Sequence, residues 1–180
     1  MDTDFSTDWL PSRIETARLV LRAPHMDDVP TIARLANNEK IHRMTARVPF
    51  PYGTADAIAF VEDFAQRPEE RPFVITVASD GVAGVVGLTF QPGEAPELGY
   101  WLGEPYWGRG LATEAVQALV QAALGRRECP ALIARAISEN RASRAILEKI
   151  GFVLESEAIA ACGPHSGVSV ARYRIGATGQ

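Results

Sequence analysis

The chain has 180 residues, 47% of them hydrophobic and 22% charged, and carries a formal net charge of −4 at pH 7. This length fits one α/β domain that buries roughly two-thirds of its unfolded surface, so neither a metal nor a disulfide is needed to hold it together. The negative charge argues against a nucleic-acid partner, and the sequence lacks the run of ~20 apolar residues that would span a bilayer.

The first twelve residues contain three aspartates and no basic residue. A secretory signal would need positive charge followed by an apolar run. We therefore expect residues 1–13 to form a flexible leader and residues 14–180 to form a single domain. We also expect the protein to be cytoplasmic, without a membrane partner.

Alternation of apolar and polar residues over 17–23 predicts the first strand. Apolar residues at helical spacing, behind Asp27 and Asp28, predict a helix over 27–37. A loop rich in proline and aromatic residues follows, and a second helix is predicted from Thr54 onwards.

Three strands are predicted next, with short connections between them. The β-branched run 72–79 ends at Asp80-Gly81, a dipeptide that favours a hairpin turn. An apolar run over 82–91 and a further strand over 97–102 follow. This succession is typical of an antiparallel meander.

The clearest helix begins near Gly110, where apolar residues start to recur at spacings of three and four. A strand over 131–138 comes next, followed by a helix that Gly151 stops. A final pair of strands is predicted at 152–159 and 168–175.

The element order is therefore β-α-α-β-β-β-α-β-α-β-β. The chain passes from strand 97–102 through a helix to strand 131–138, and such a crossover connection makes its two strands parallel. The sequence predicts an α/β (α+β) fold with a mixed, mostly antiparallel sheet of about seven strands and four helices packed on it.

The cysteines and histidines do not have the spacing of metal ligands. Cys129 and Cys162 lie far apart and are interpreted as two reduced thiols. His25, His42 and His165 are scattered singly and are interpreted as loop or surface residues. We predict no metal site.

The most informative segment runs from Tyr100 to Ala115, where a strand, a glycine-containing turn and a helix follow one another. Such a junction directs backbone N–H groups and the positive end of the helix dipole at one point, which favours phosphate binding. Gly108 and Gly110 leave the backbone open to a ligand. The segment is neither a GK[ST] phosphate loop nor a full GxGxxG turn, and a purely structural turn is the alternative.

The turn resembles the pyrophosphate-binding loop of the GNAT acetyltransferase superfamily, whose pattern is Gln/Arg-x-x-Gly-x-Gly/Ala. Gly110 and Ala112 match that pattern, whereas Trp107 stands where glutamine or arginine is usual. Whether Tyr106 and Trp107 pack in the core or wall the ligand site stays open at this stage.

Two further segments support the resemblance. Asn140-Arg141-Ala142-Ser143, followed by Gly151-Phe152, is similar to the helix beside the pantetheine arm in that superfamily. The run 97–102 leading into Tyr106-Trp107-Gly108 resembles the RimJ/RimL-like branch, which includes acetyltransferases of ribosomal-protein N-termini. The segments 15–19 and 49–52 are similar to the same branch. The resemblance covers residues 14 to about 175.

The resemblance implies a GNAT fold and an acetyl-CoA-dependent N-acetyltransferase that transfers acetyl to a primary amine by direct attack. Glu97 is the implied general base, through water, because a substrate amine must lose a proton before it attacks. Ser143 is the implied general acid, since Leu147 stands where many relatives have a tyrosine. The residues implied to bind the cofactor are Trp101, Leu102, Gly108, Arg109, Gly110, Leu111, Ala112, Thr113, Asn140 and Ser143.

Several alternatives remain open at this stage. The acceptor is either a protein N-terminus or a small-molecule amine, and the segments 38–53 and 160–168 are the expected specificity loops. Carboxylates at 62, 63, 69 and 70 would suit a basic acceptor, or are simply solvated. Glu114 either faces solvent or contacts a neighbouring strand. The chain is a monomer or a homodimer, and a non-catalytic acyl-CoA-binding module is the alternative function.

Overall fold

The computed structural model describes residues 9–124, 126–161 and 166–176. Its centre is one mixed sheet of eight strands in the order β1-β2-β3-β4-β5-β6-β8-β7. The strands are β1 (Arg13–Glu15), β2 (Leu19–Arg22), β3 (Glu70–Val77), β4 (Gly81–Thr89), β5 (Glu97–Leu102), β6 (Ala131–Ile137), β7 (Val153–Ile159) and β8 (Ser169–Gly176). Every neighbouring pair is antiparallel except β5 and β6, which are parallel as predicted.

In the described residues, five α-helices pack on this sheet: α1 (Val29–Ala36), α2 (Glu39–Met44), α3 (Thr54–Glu62), α4 (Leu111–Leu124) and α5 (Arg141–Ile150). Each strand sends alternate side chains to opposite faces of the sheet. In β3, Phe73 and Ile75 therefore join the hydrophobic cluster under α4 and α5, whereas Val74 joins the cluster under α1 and α3. The sheet is thus covered on both faces. In the described part of the chain, no helix has the length and apolar character that crossing a membrane requires.

Local sequence features explain the two helices that flank the candidate site. In α4, a buried stripe at spacings of three and four includes Ala115, Val116 and Leu119, which face the sheet. In α5, the Asn140 side chain caps the first turn by accepting the Ser143 amide at 3.1 Å, and Gly151 ends the helix in the left-handed conformation.

The parallel strands β5 and β6 separate soon after they meet. Their register contains only Glu97 with Ile133 and Leu98 with Ala134. The other edge of β5 stays paired with β4 as far as Leu102. The rest of β5 therefore borders a gap.

A glycine lets β4 and β5 approach each other closely beside this gap. A Cβ on Gly84 would lie 2.3 Å from the Trp101 carbonyl oxygen and 2.9 Å from the Leu102 Cα. Any side chain there would push the open stretch of β5 away from β4.

Two predicted counts, of strands and of helices, need correction. The sheet has eight strands because the three-residue β1 pairs with β2, and a run this short has no alternation to read. A fifth helix, α2, lies in the segment expected to be an irregular loop. Its start is capped by Asn38, and only Ile41 of the helix is buried, so it has little hydrophobic periodicity.

The folded region also begins before residue 14. Leu10 is buried in the core and Trp9 packs edge-on against Phe90 at 6.1 Å between ring centroids. The expected leader, 1–13, is therefore wrong for its last residues, and residues 1–8 lie outside the described part. Of the two cysteines, Cys129 is a buried free thiol whose pKa burial raises to about 11. Cys162 and His165 lie outside the described residues.

Candidate active site

A cavity of about 1630 Å³ follows the gap between β5 and β6. A single small-molecule site usually has ~300–1,000 Å³, so this cavity has room for two substrates. The sequence-predicted residues that line it are Glu97, Trp101, Leu102, Gly108, Gly110, Leu111, Ala112, Thr113, Asn140 and Ser143. Residues predicted from three separate segments thus meet in one cavity.

Arg109 is the one predicted residue that the cavity wall does not include. Its guanidinium lies 3.5 Å from Asp80 and over the Tyr106 ring, 5.6 Å from the centroid. The Arg109 side chain therefore points away from the cavity, and only the Arg109 backbone remains available to a ligand there.

The turn before α4 presents a row of backbone donors. Gly108 and Gly110 have φ of 72° and 74°, the left-handed region that favours glycine. The first intrahelical bond joins the Glu114 amide to the Gly110 carbonyl at 3.1 Å. Within the described residues, the amides from Gly108 to Thr113 have no hydrogen-bond acceptor. Free amides at a helix N-terminus, where the helix dipole is positive, form an anion site.

Glu114 connects this turn to the other end of the sheet. Its carboxylate accepts hydrogen bonds from the Thr16 hydroxyl and the Arg18 guanidinium, both at 2.6 Å. Arg18 also donates a hydrogen bond to the Arg109 carbonyl at 2.9 Å. Burial alone would raise the pKa of Glu114, but the hydrogen bonds from Thr16 and Arg18 hold it below its usual range. Glu114 therefore contacts a neighbouring strand connection, one of the two alternatives left open by the sequence.

Trp107, the departure from the family pattern, is bonded to the open edge of β5. Its indole N–H donates to the Leu102 carbonyl at 2.6 Å, while its ring is 42% exposed at the cavity. Lys40 of α2 lies 6.0 Å from the ring centroid and also pairs with Glu104. Trp107 therefore satisfies a carbonyl that β6 leaves unpaired, and walls the cavity as well.

Backbone amides of β5 face the gap at alternate residues. The Gly103 amide donates to Ala83 on the β4 side, and the Pro96 carbonyl accepts from Ile133 on the β6 side. Because successive residues of a strand bond to opposite sides, the amides of Tyr100 and Leu102 face the gap. The Trp101 amide faces β4 instead, so Trp101 contributes only its side chain to the cavity.

Glu97 and Ser143 lie on opposite faces of the sheet. Glu97 and Trp101 lie on the same face of β5, and Trp101 packs toward α1 and α3. Leu98 and Tyr100 lie on the other face, where Tyr100 contacts Ser143 of α5. Two polar groups therefore approach the gap from its two sides.

The Glu97 carboxylate is held by a cation. The Arg135 guanidinium of β6 contacts one of its oxygens, and Arg135 also lies 3.7 Å from Glu94. The other Glu97 oxygen has no hydrogen-bond partner among the residues described. Glu97 thus lines the cavity and keeps one carboxylate oxygen without a bond to a described residue. No local pattern points to Arg135, because β6 is otherwise an apolar strand.

At the other face, Ser143 is bonded to Tyr100 of β5, a residue outside the predicted site residues. The Ser143 Oγ lies 2.8 Å from the Tyr100 hydroxyl, which also donates to the Ser143 carbonyl at 3.3 Å. Burial raises the pKa of Tyr100 to about 12, against a smaller lowering by the Ser143 hydrogen bond. Leu147 is fully buried, as expected for a core residue.

The proposed acidic groove does not form as expected. Glu70 is buried, and its carboxylate accepts hydrogen bonds from the Arg47 guanidinium at 2.7 Å and the Thr89 hydroxyl at 2.8 Å. Glu62 and Glu69 do not line the cavity, and Asp63 does. The wall there also carries Arg47, Arg67, Arg135 and Arg172. Cations therefore offset the carboxylates on this side.

Comparison with known proteins places these features in a family context. The family model described as "Acetyltransferase (GNAT) domain" matches residues 18–153. A protein of Bacillus licheniformis described as "Uncharacterized N-acetyltransferase p20" is 28% identical over 145 residues, covering 78% of this chain and 82% of that protein.

Two solved structures share the fold at low sequence identity. One is RimL, a ribosomal L7/L12 alpha-N-protein acetyltransferase, in complex with coenzyme A. It has a TM-score of 0.80 and 22% identity, and the match covers 91% of this chain and 97% of that one. The other is the microcin C7 self-immunity acetyltransferase MccE in complex with acetyl-CoA and AMP. It has a TM-score of 0.82 and 22% identity, with 98% and 100% covered.

Proposed function

The chain belongs to the GNAT acetyltransferase family and is an N-acetyltransferase, and from that premise we propose how its own residues perform the transfer. The acceptor is a primary amine, carried by a protein N-terminus or by a small molecule. Glu97 is the base and Ser143 donates to the leaving group. The observation that carries the proposal is that the unpaired amides, the open edge of β5 and both polar groups share one cavity.

The residues present fit acetyl-CoA as donor. The amides from Gly108 to Thr113 would hold its diphosphate, and no Cβ at Gly108 or Gly110 blocks the approach. The Asn140 side chain uses its oxygen to cap α5, which leaves its NH₂ group free to donate to the pantetheine arm. When bound, the thioester supplies an activated acetyl group and a thiol leaving group.

The open edge of β5 supplies the electrostatic part of the mechanism. The Leu102 and Tyr100 amides face the gap, and a preorganised N–H there stabilises negative charge that develops on a carbonyl oxygen. Leu102 is held in place on both sides, by its pairing with Gly84 and by the Trp107 bond to its carbonyl. Such fixed donors need no reorganisation during the reaction.

Glu97 is placed to take the proton of the amine, through water. Glu97 lines the same cavity as Lys40, Val48 and Tyr52 of the expected specificity segment 38–53. A free α-amine has a pKa of ~8 and a lysine amine ~10.4, so a base is needed near neutral pH. The contact with Arg135 of β6 restricts the rotation of this carboxylate.

A turnover screen tests this function. Purified protein is mixed with acetyl-CoA and, separately, with peptides bearing free N-termini, polyamines and amino acids, and release of free thiol is followed. We expect amine-dependent release with one of these classes. Binding of acetyl-CoA without release for any amine would instead support a non-catalytic acyl-CoA-binding module.

Glu97→Gln tests the base. We expect kcat to fall by about 100-fold or more, because general base catalysis contributes ~10²–10⁴, while the Kd for CoA stays unchanged. Glu94→Gln is the matched control, since Glu94 also contacts Arg135 but does not line the cavity. A rate that is the same for Glu97→Gln and wild type across pH would remove Glu97 from the mechanism.

A further inference from the structure

We propose that Tyr100 is a positioning residue for the leaving group: its hydroxyl donates to the Ser143 Oγ, so that the Ser143 proton is directed at the thiol sulfur. The inference rests on the proposed function, since it assigns a further residue to the same site. It explains how the site works without the tyrosine that Leu147 replaces.

The geometry of the pair is specific. The Tyr100 phenol has one proton and two acceptors within reach, the Ser143 Oγ at 2.8 Å and the Ser143 carbonyl at 3.3 Å. When that proton goes to the closer acceptor, the Ser143 hydroxyl no longer needs its own proton for Tyr100. Ser143 is then free to donate to a third partner in the cavity.

Tyr100 is also held where this donation is useful. It lies just past the last β5–β6 pair, so its ring borders the gap, and both residues line the main cavity. Its neighbours Leu98 and Leu102 are buried, which fixes the strand on which it sits. The Asn140 cap fixes Ser143 from the other side.

The protonation state suits a donor. A phenol whose pKa is about 12 stays protonated at neutral pH, so Tyr100 gives a hydrogen bond and does not give up its proton. The charge that builds on sulfur is therefore stabilised by hydrogen bonding. A thiol ionises near pH ~8.5 in the cysteine reference, so a thiolate needs no full proton transfer to leave.

The alternative is that the Tyr100–Ser143 bond only ties β5 to α5. The two roles differ in what they do to bound CoA. A positioning role stabilises the thiolate relative to the thiol, whereas a structural tie affects both forms equally.

The test measures the ionisation constant of the bound CoA thiol, by NMR of CoA carrying ¹³C at the carbon bonded to sulfur, over a pH titration. Tyr100→Phe keeps the ring and removes the hydroxyl. We expect the ionisation constant to fall about three- to tenfold in this variant, the effect of one lost hydrogen bond of ordinary strength. Ser143→Ala should lower it at least as much, and the double variant no further than Ser143→Ala.

Tyr173→Phe is the matched control. Its hydroxyl accepts from Arg144 at 2.9 Å and donates to Glu148 at 2.9 Å, both on α5, and it does not line the cavity. We expect it to lower Tm without changing the thiol ionisation. An ionisation constant in Tyr100→Phe within twofold of wild type, with CoA bound, would overturn the inference alone. Failure of the wild-type protein to bind CoA would overturn the proposed function as well.

Discussion

Two carboxylates are buried among the described residues, Asp28 and Glu70, and each is paired with an arginine. The Asp28 carboxylate accepts hydrogen bonds from the two terminal guanidinium nitrogens of Arg22, each at 2.8 Å, and from the His25 amide at 2.8 Å. Burial of a charge is costly unless it is paired and hydrogen-bonded, and this arrangement satisfies both conditions. Asp28 therefore joins β2 to the start of α1.

Asp28→Asn tests this pair. Removal of a charge-assisted hydrogen-bonded partner should cost about 2 kcal/mol of unfolding free energy at pH 7, measured by urea denaturation. Asp27→Asn, at an exposed neighbour, should change it by less than about 0.5 kcal/mol. Equal losses for the two variants would show that the Arg22–Asp28 pair does not stabilise the fold.

The same pair predicts a pH dependence. Burial would raise the pKa of Asp28, but the hydrogen bonds from Arg22 and His25 outweigh it, so the pKa lies below its usual range. The stabilisation is therefore fully present above the unfolded value of ~3.9 and is lost as pH falls through the lower folded pKa. The difference between wild type and Asp28→Asn should shrink in that acid range. A constant difference from pH 7 to pH 2 would contradict this assignment.

At the residue scale, what sequence could predict depended on local pattern. The resemblance marks the positions of Glu97, Asn140 and Ser143, and all three line the cavity. Nothing in the sequence around Tyr100 predicts its bond to Ser143, because the two residues are 43 positions apart in the chain. Arg135 was missed for the same reason.

At the element scale, the turn between β5 and α4 is the part of the site that local chemistry specifies best. Gly108 and Gly110, both with φ in the left-handed region, immediately precede the start of α4 at Leu111. By contrast, β1 and α2 exist only because tertiary neighbours complete them: β1 needs β2, and α2 is tied by Lys40 and Asn38 to Glu104. Short elements without their own hydrophobic pattern are beyond single-sequence reasoning.

Gly110→Ala tests the turn. A side chain at φ of 74° should cost about 1–2 kcal/mol of stability, and reshaping the amide row should weaken CoA binding about tenfold. Gly93→Ala is the matched control, because Gly93 has φ of 77° with open space around it and lies outside the cavity wall. Both variants should lose similar stability in denaturation, and only Gly110→Ala should lose affinity in calorimetry. Unchanged affinity in Gly110→Ala would separate the turn from CoA.

At the scale of the whole molecule, the sheet works as a divider. One parallel pair opens in an otherwise antiparallel sheet, and helices cover both faces. In the proposed mechanism the amine and Glu97 meet on the α1 and α3 face, and the leaving group departs toward α5 on the other face. The parallel crossover is predictable from connection rules, but the extent of the opening follows from packing and is not.

We propose that the backbone amides of the turn before α4 bind the diphosphate of CoA. Titration of ¹⁵N-labelled protein with CoA, followed through its amide ¹H–¹⁵N spectrum, tests it most directly. We predict that the amide protons of Gly108 to Thr113 move furthest downfield, as N–H groups do when they donate to an anion. CoA binding that leaves those amides in place, or saturating CoA that shifts no resonance, would contradict the account.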